Sequence, residues 1–239
     1  MKKLSLILVI AGILVGVSPL VGQLYTKYQE IRMMDEWLNS EDAAVLEEPS
    51  DVDPEEEYSQ LEEAFAPERS SGEQATEQVT GTATPLPDKP KATAKPAKQA
   101  NAQTVLGIIQ IEKIKVKAPI VEGVRAENLK VGVGHIPGTA ALGQPGNCAL
   151  AGHRSYTFGK FFNRLDELAV GDEIIITTKK EDLKYKVFQK LVVTPDNVSV
   201  LKGDKKDNII TLITCTPIYV ATHRLIIHAR LEGVTLKEP

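Results

Sequence analysis

Cysteine is scarce in this 239-residue chain: Cys148 and Cys215 are the only two, too few for a disulfide-held miniprotein and not spaced as Cys-x-x-Cys. There is no Gly-rich phosphate loop and no run of His and acidic residues at metal-ligand spacing, so no nucleotide, metal or other cofactor is expected. Aromatics make up 5% of the chain, and the net charge is only -4. That small total hides two unlike halves. Residues 1–103 carry 9 Lys/Arg against 18 Asp/Glu, whereas residues 104–239 carry 19 against 14. An acidic arm on a mildly basic globule lacks the one-sided basic face of a nucleic-acid binder, so no nucleic-acid partner is expected. No internal repeat is present.

What the chain does have begins with Leu4–Leu24, a stretch without formal charge behind Lys2 and Lys3. About 20 apolar residues cross a bilayer as a helix, and the leading lysines favour a cytoplasmic N-terminus. A cleaved signal peptide needs a shorter apolar core and a small-x-small site. Gly16-Val17-Ser18 has that form but is followed by Pro19, so an uncleaved anchor is favoured. Residues 1–24 are therefore read as the cytoplasmic end and a single membrane span, with the rest extracellular. Tyr25, Tyr28, Ile31 and Met34 continue at helical spacing for some turns. Eleven acidic residues and no Lys or Arg lie between Glu41 and Glu63, and Pro85, Pro87, Pro90 and Pro96 stand among four lysines. Residues 25–103 as a whole read as a disordered, semi-extended linker that holds a domain away from the membrane.

Residues 104–239 are the folded domain. Short apolar runs at Val105–Ile111, Ile114–Val116, Ala118–Val121, Cys148–Ala151, Glu173–Thr177, Tyr185–Phe188, Leu191–Val193, Ile209–Thr214 and Arg224–Leu231 are punctuated by Gly, Pro, Asn and Asp. The pattern predicts an all-β closed barrel or sandwich. One helix is expected over Phe158–Leu168, where Phe158, Phe161, Phe162 and Leu165 recur at i, i+3, i+4 and i+7 as a core stripe.

Three residues at strand ends carry possible chemistry. Cys215 closes the strand Ile209–Cys215, which Pro217 cannot extend, and shares a face with Ile209, Thr211 and Ile213. Taken alone, a free cysteine is most often a small buried hydrophobe. His153 closes the strand Asn147–His153. It lies five residues from Cys148, so the two point to opposite faces; Cys148 is core, and any cysteine partner of His153 must be Cys215. Arg224 opens the last strand nine residues after Cys215, on the face opposite Leu225, Ile227 and Ala229. A thiol ionises beside His⁺ or Arg⁺, and the three together would make a cysteine transferase or protease site. His135, His223 and His228 are the other candidate bases. Cys215 is expected to label readily with thiol reagents and Cys148 only on unfolding.

Thr211-Leu212-Ile213-Thr214-Cys215 resembles the Thr-Leu-x-Thr-Cys signature of sortases. Ala151-Gly152-His153 and Arg224-Leu225-Ile226-Ile227 are similar to the segments carrying the histidine and arginine of that family. Gly132–Ala140 and Gly143–Asn147 are similar to the run before the histidine. The resemblance covers roughly Gly107 to Leu231. It implies an eight-stranded sortase-like β-barrel in a membrane-anchored extracellular transpeptidase. Cys215 would attack a Leu-Pro-x-Thr-type sorting signal after its Thr. His153 would act as acid and then base, and Arg224 would stabilise the oxyanion. Thr214 would position substrate or thiolate. The implied partners are secreted proteins bearing a C-terminal sorting signal and an amine on peptidoglycan precursor or on another protein.

Within the family, the N-terminal anchor, the Gly134–Gly138 segment and the soluble Lys237-Glu238-Pro239 end look most like class D, associated with spore-forming Gram-positive bacteria. Thr216-Pro217 and Thr222-His223-Arg224 also resemble the pilin-polymerising class C. Those enzymes generally carry an Asp-Pro-aromatic lid, whereas Asp53-Pro54 here precedes Glu55. A cysteine endopeptidase, and an anchored non-catalytic barrel that binds the cell wall, are the remaining alternatives.

Overall fold

In the computed structural model, the described residues are 24–40 except Thr26, 52–70, 104–154, and 161–237 except Lys205 and Tyr219. The expected membrane segment lies almost wholly outside them. Among the described residues no helix is long and apolar enough to cross a membrane.

Eight strands close into a barrel: β1 (Val105–Ile111), β2 (Val116–Glu122), β3 (Val133–His135), β4 (Gly146–Ala151), β5 (Glu173–Thr177), β6 (Glu181–Val193), β7 (Asn208–Thr216) and β8 (His223–Leu236). They run in the order β1-β2-β3-β4-β7-β8-β6-β5, and β5 returns to pair with β1. An eight-stranded barrel is just wide enough for side chains to fill. Here Ile109, Ile111, Val133, Cys148, Leu150, Tyr185, Leu212, Leu225 and Ile227 belong to the filling cluster. Of the barrel and sandwich that the short-strand pattern allows, the closed barrel implied by the sortase resemblance is present. Tyr185–Phe188 and Leu191–Val193, read as separate runs, are parts of one long strand, β6.

The expected helix over Phe158–Leu168 is not what its described part forms. Residues 161–164 are turns, and Leu165–Glu167 is a single 3-10 turn. Phe161 takes φ +43, which a continuous right-handed helix excludes. The stripe itself is core, as expected: Phe161, Phe162, Leu165 and Leu168 all belong to the interior cluster.

The arm follows its helical spacing at 27–39, as expected, but departs from the disordered linker by packing on the barrel and by forming a second helix. Residues 27–39 form a helix, α1, whose Met34 and Trp37 bury against Val105, Ile108 and Val121 on the outside of the barrel. The Lys179 ammonium lies 4.7 Å from the centre of the Trp37 ring. A second helix, α2 (Pro54–Ser70), falls in the stretch expected to be disordered linker. Its start follows ordinary helix rules. Asp53 caps it through Oδ1, which accepts from Glu55 N at 2.9 Å; Pro54 takes the first position, and Glu55, Glu56 and Glu57 complement the dipole in the first turn. Tyr58, Leu61 and Phe65 then form a narrow apolar stripe that buries completely against the barrel. Acidic composition alone suggested disorder. The spacing of those three residues outweighs it, because the carboxylates mostly face solvent while the stripe faces protein. Gly138, at φ +81, gives room for the chain entering α2: a Cβ there would lie 2.2 Å from Val52 O.

Candidate active site

Strand direction decides which residues meet. β4 and β7 are parallel neighbours, paired from Gly146↔Asn208 to Ala151↔Ile213, so both end at the same rim of the barrel. β8 runs antiparallel to β7 and therefore starts at that rim. Cys215 at the end of β7 pairs directly with Arg224 at the start of β8. His153 lies two residues beyond the end of β4. The topology thus brings the Cys, His and Arg segments to one end of the barrel.

Parity separates the two cysteines as expected. Cys148 joins the interior cluster, while Cys215 joins a second cluster on the outer face with Ala149, Ala151, Ile213, Ile226, Val200 and Leu201. Both are free thiols. The signature residues have structural work to do as well. The Thr211 hydroxyl donates to Asn147 Oδ1 at 2.6 Å and lies 2.8 Å from His228 Nδ1, tying β7 to both neighbours. Thr214 is fully buried, and its hydroxyl donates to Gly152 O at 2.7 Å, next to His153. Gly152 is required there by close approach, since a Cβ would come within 2.9 Å of the Phe162 ring.

Arg224 is 0% exposed. Two of its N–H groups are aimed by carbonyls of the β7–β8 connection, with Nη1 donating to Ala221 O at 3.1 Å and His223 O at 2.8 Å. The other edge meets a partner that sequence reasoning missed. Nε donates to Glu62 Oε1 of α2 at 2.7 Å, and Nη2 bonds Oε2 of the same carboxylate. This fork-on-carboxylate pair is a strong charge-assisted contact. Burial acts to lower the pKa of Arg224, but the Glu62 bond and the Cys215 charge outweigh it and hold the guanidinium above its ordinary value.

The rest of the α2 stripe completes a cap. Phe65 stands 5.4 Å from the His153 ring, tilted by 59°, and 5.3 Å from the Arg224 guanidinium. Tyr58 and Leu61 fill the outer-face cluster that contains Cys215, and burial pushes the Tyr58 phenol up. Cys215 is in consequence 1% exposed. The expectation that it labels readily is corrected: with α2 seated, the thiol is as enclosed as Cys148. The missed signal was present in the sequence, as Tyr58, Leu61 and Phe65 at helical spacing with Glu62 beside them.

The other histidines occupy different places. His135 is buried within the barrel wall. Its Nδ1 lies 2.8 Å from Glu122 Oε2, and its Nε2 lies 3.0 Å from Ala140 O and 3.1 Å from Thr139 Oγ1. A carbonyl and a carboxylate both need N–H donors, so the ring is an imidazolium. Burial opposes that charge, yet Cys148 and Glu122 outweigh it and raise the pKa to about 10. His228 sits on the outer face of β8, opposite Thr211 and four rungs of the ladder from Cys215, with its pKa lowered by burial. His223 is exposed beside Thr222 and pairs with Thr216 at the rim. Among the described residues no group of three or more His, Cys, Asp or Glu side chains is arranged to hold a metal ion.

Comparison with known proteins agrees with this geometry. A sortase domain model matches residues 109–232, just over half of the chain. The chain is 31% identical to Sortase A of Bacillus anthracis, over 59% of its own length and 69% of that protein's. It is 32% identical to Sortase D of Bacillus subtilis, over 52% of its own length and 62% of that protein's. Among solved structures it is similar to sortase C-1 from Actinomyces oris, at 34% identity and a TM-score of 0.52, covering 54% of this chain and 74% of that one. Through the matched barrel, with Cys215 and Arg224 paired at its rim, the chain belongs to the sortase family of cysteine transpeptidases.

Proposed function

We propose that the protein is a membrane-anchored sortase that cleaves a Leu-Pro-x-Thr-type signal on exported proteins and joins the freed Thr carbonyl to a cell-wall amine. The observation that carries this reading is the direct pairing of Cys215 with Arg224 at the rim where the His153 segment also ends. The Cys215 thiolate attacks the Thr carbonyl carbon, and Arg224 donates to the oxygen as negative charge develops. The peptide C–N bond then breaks, His153 delivers a proton to the departing amine, and a thioester remains. An incoming amine gives its proton to His153, attacks the thioester carbon, and releases the thiolate. Thr214 helps to position substrate or thiolate, supported by its bond to Gly152 O next to His153.

Arg224 and the outer-face cluster are filled by Glu62, Tyr58, Leu61 and Phe65 in the seated state, so substrate enters only when α2 lifts. Resemblance to class D motifs favours the wall as acceptor. The α2 cap favours a second, class C-like reading, in which the amine is a lysine of another protein.

The test is to incubate the protein with a fluorogenic Leu-Pro-x-Thr-Gly peptide, with and without a diaminopimelate-type amine or a lysine peptide. Peptide–amine product that is absent with Cys215→Ala supports transfer. Cleavage without any amine adduct would replace it with hydrolysis.

A further inference from the structure

We infer that Arg154 is a positioning residue that, through Thr216, sets the spacing of His153 and Cys215; this rests on the site reading above. The argument comes from the β4–β7 register. Ala151 pairs with Ile213, an offset of 62 residues, and the same offset persists beyond the last rung. Gly152 O accepts from the Thr214 hydroxyl at 2.7 Å, and Arg154 Nη1 donates to the Thr216 hydroxyl at 2.7 Å, each pair 62 residues apart. His153 and Cys215 occupy the one position left between these two side-chain bonds. The two tracks are thus pinned before and after the reacting pair, where the backbone ladder has already stopped.

Arg154 is well placed to hold its side of the pin. It is 8% exposed, less than the neighbouring His153. Nε donates to Asn163 O at 3.3 Å, and Nη2 lies 2.9 Å from Asp166 Oδ1. The guanidinium therefore joins three elements: the segment after β4, the turn after Phe162, and the end of β7. A lysine offers one point charge instead of a planar fork and cannot make all three contacts together. None of these bonds reaches a reacting atom, so the effect is on geometry. A small misplacement of reacting groups slows chemistry far more than it weakens binding.

The experiment compares Thr216→Val, Thr216→Ser, Arg154→Lys, Arg154→Ala and the Arg154→Ala/Thr216→Val double variant in the full chain, with melting temperature as a check on folding. Thr216→Val keeps the shape and removes the acceptor. It is expected to lower kcat for the sorting peptide roughly tenfold with KM within about twofold, and Thr216→Ser to restore it. The double variant is expected to be no slower than Arg154→Ala alone, because both remove one interaction. Wild-type kcat in Thr216→Val, an equal loss in Thr216→Ser, or losses that multiply in the double variant would each overturn the inference. Cys215→Ala separates the two levels. If it still turns over the peptide, the site reading itself is wrong; if it is inactive while Thr216→Val runs normally, only the pin is wrong.

Discussion

The two cysteines look alike by burial and by charge environment and differ in what covers them. Each is 1% exposed and each lies near a cation, His135 for Cys148 and Arg224 for Cys215. Cys148 faces inward from the middle of β4, and its cover is the barrel itself. Cys215 faces outward from the end of β7, and its cover includes α2, whose Tyr58, Leu61 and Phe65 pack in the same cluster and whose Glu62 pairs with Arg224. Cys148 is covered by paired strands, whereas part of the cover of Cys215 is a helix outside the barrel. Enclosure therefore says little about reactivity until one asks what encloses.

The sharpest way to break this comparison is substitution of the thiols. Cys215→Ala is expected to lose at least roughly a thousandfold in peptide turnover, read by chromatography of the cleaved product. Turnover surviving in that variant would make the two cysteines equivalent after all. Next in size is release of the cap. Phe65→Ala and Glu62→Ala each remove a contact that holds α2 over the site, and both are expected to raise the rate of Cys215 alkylation by roughly tenfold. Cys148 should remain unlabelled in the same samples, as peptide mapping would reveal. If both thiols label faster, α2 stabilises the whole barrel and is not a local cover.

A pH series probes the inner cysteine's neighbourhood. The folded pKa of His135 is raised to about 10, so its stabilising contribution is complete below about 6.5 and is lost as pH rises through about 10. In urea titrations, the stability gap between wild type and His135→Gln should narrow across that window. A gap independent of pH would mean that His135 is neutral in the folded protein. The smallest effect belongs to Cys148→Ala, with about 1 kcal/mol of stability lost and turnover within about twofold of wild type.

How far the sequence alone could go follows from the kind of pattern each element carries. β5 alternates cleanly, whereas β1, β4 and β7 are buried on both faces, so for them position parity and not an alternating pattern is the signal. The five-residue spacing of Cys148 from His153 marks Cys148 as core, while Cys215 is assigned only a face shared with Ile209, Thr211 and Ile213. β3 is three residues long, too short for a periodic signal, and so His135 had no predicted element. The aromatic stripe at 161–168 has helical spacing but serves as a packed turn, because tertiary burial and not the backbone period selected those residues. In α2 the reverse happened. Its apolar residues are few and its carboxylates many, so averaging over the acidic stretch hid a stripe that only individual positions reveal. The pairing of Glu62 was illegible for a further reason: its partner, Arg224, lies 162 residues away.

The docking of α1 changes what the Pro-rich segment is for. A spacer regulates distance only if nothing upstream of it is already fastened to the cargo. Met34 and Trp37 are fastened to β1 and β2, ahead of residues 71–103 in the chain. Along the sequence those residues connect α2 with β1, one element packed on the barrel and one that belongs to it. The height of the rim that carries Cys215 and Arg224 above the point where the chain enters α1 is therefore set by the contacts of Met34 and Trp37 with the barrel.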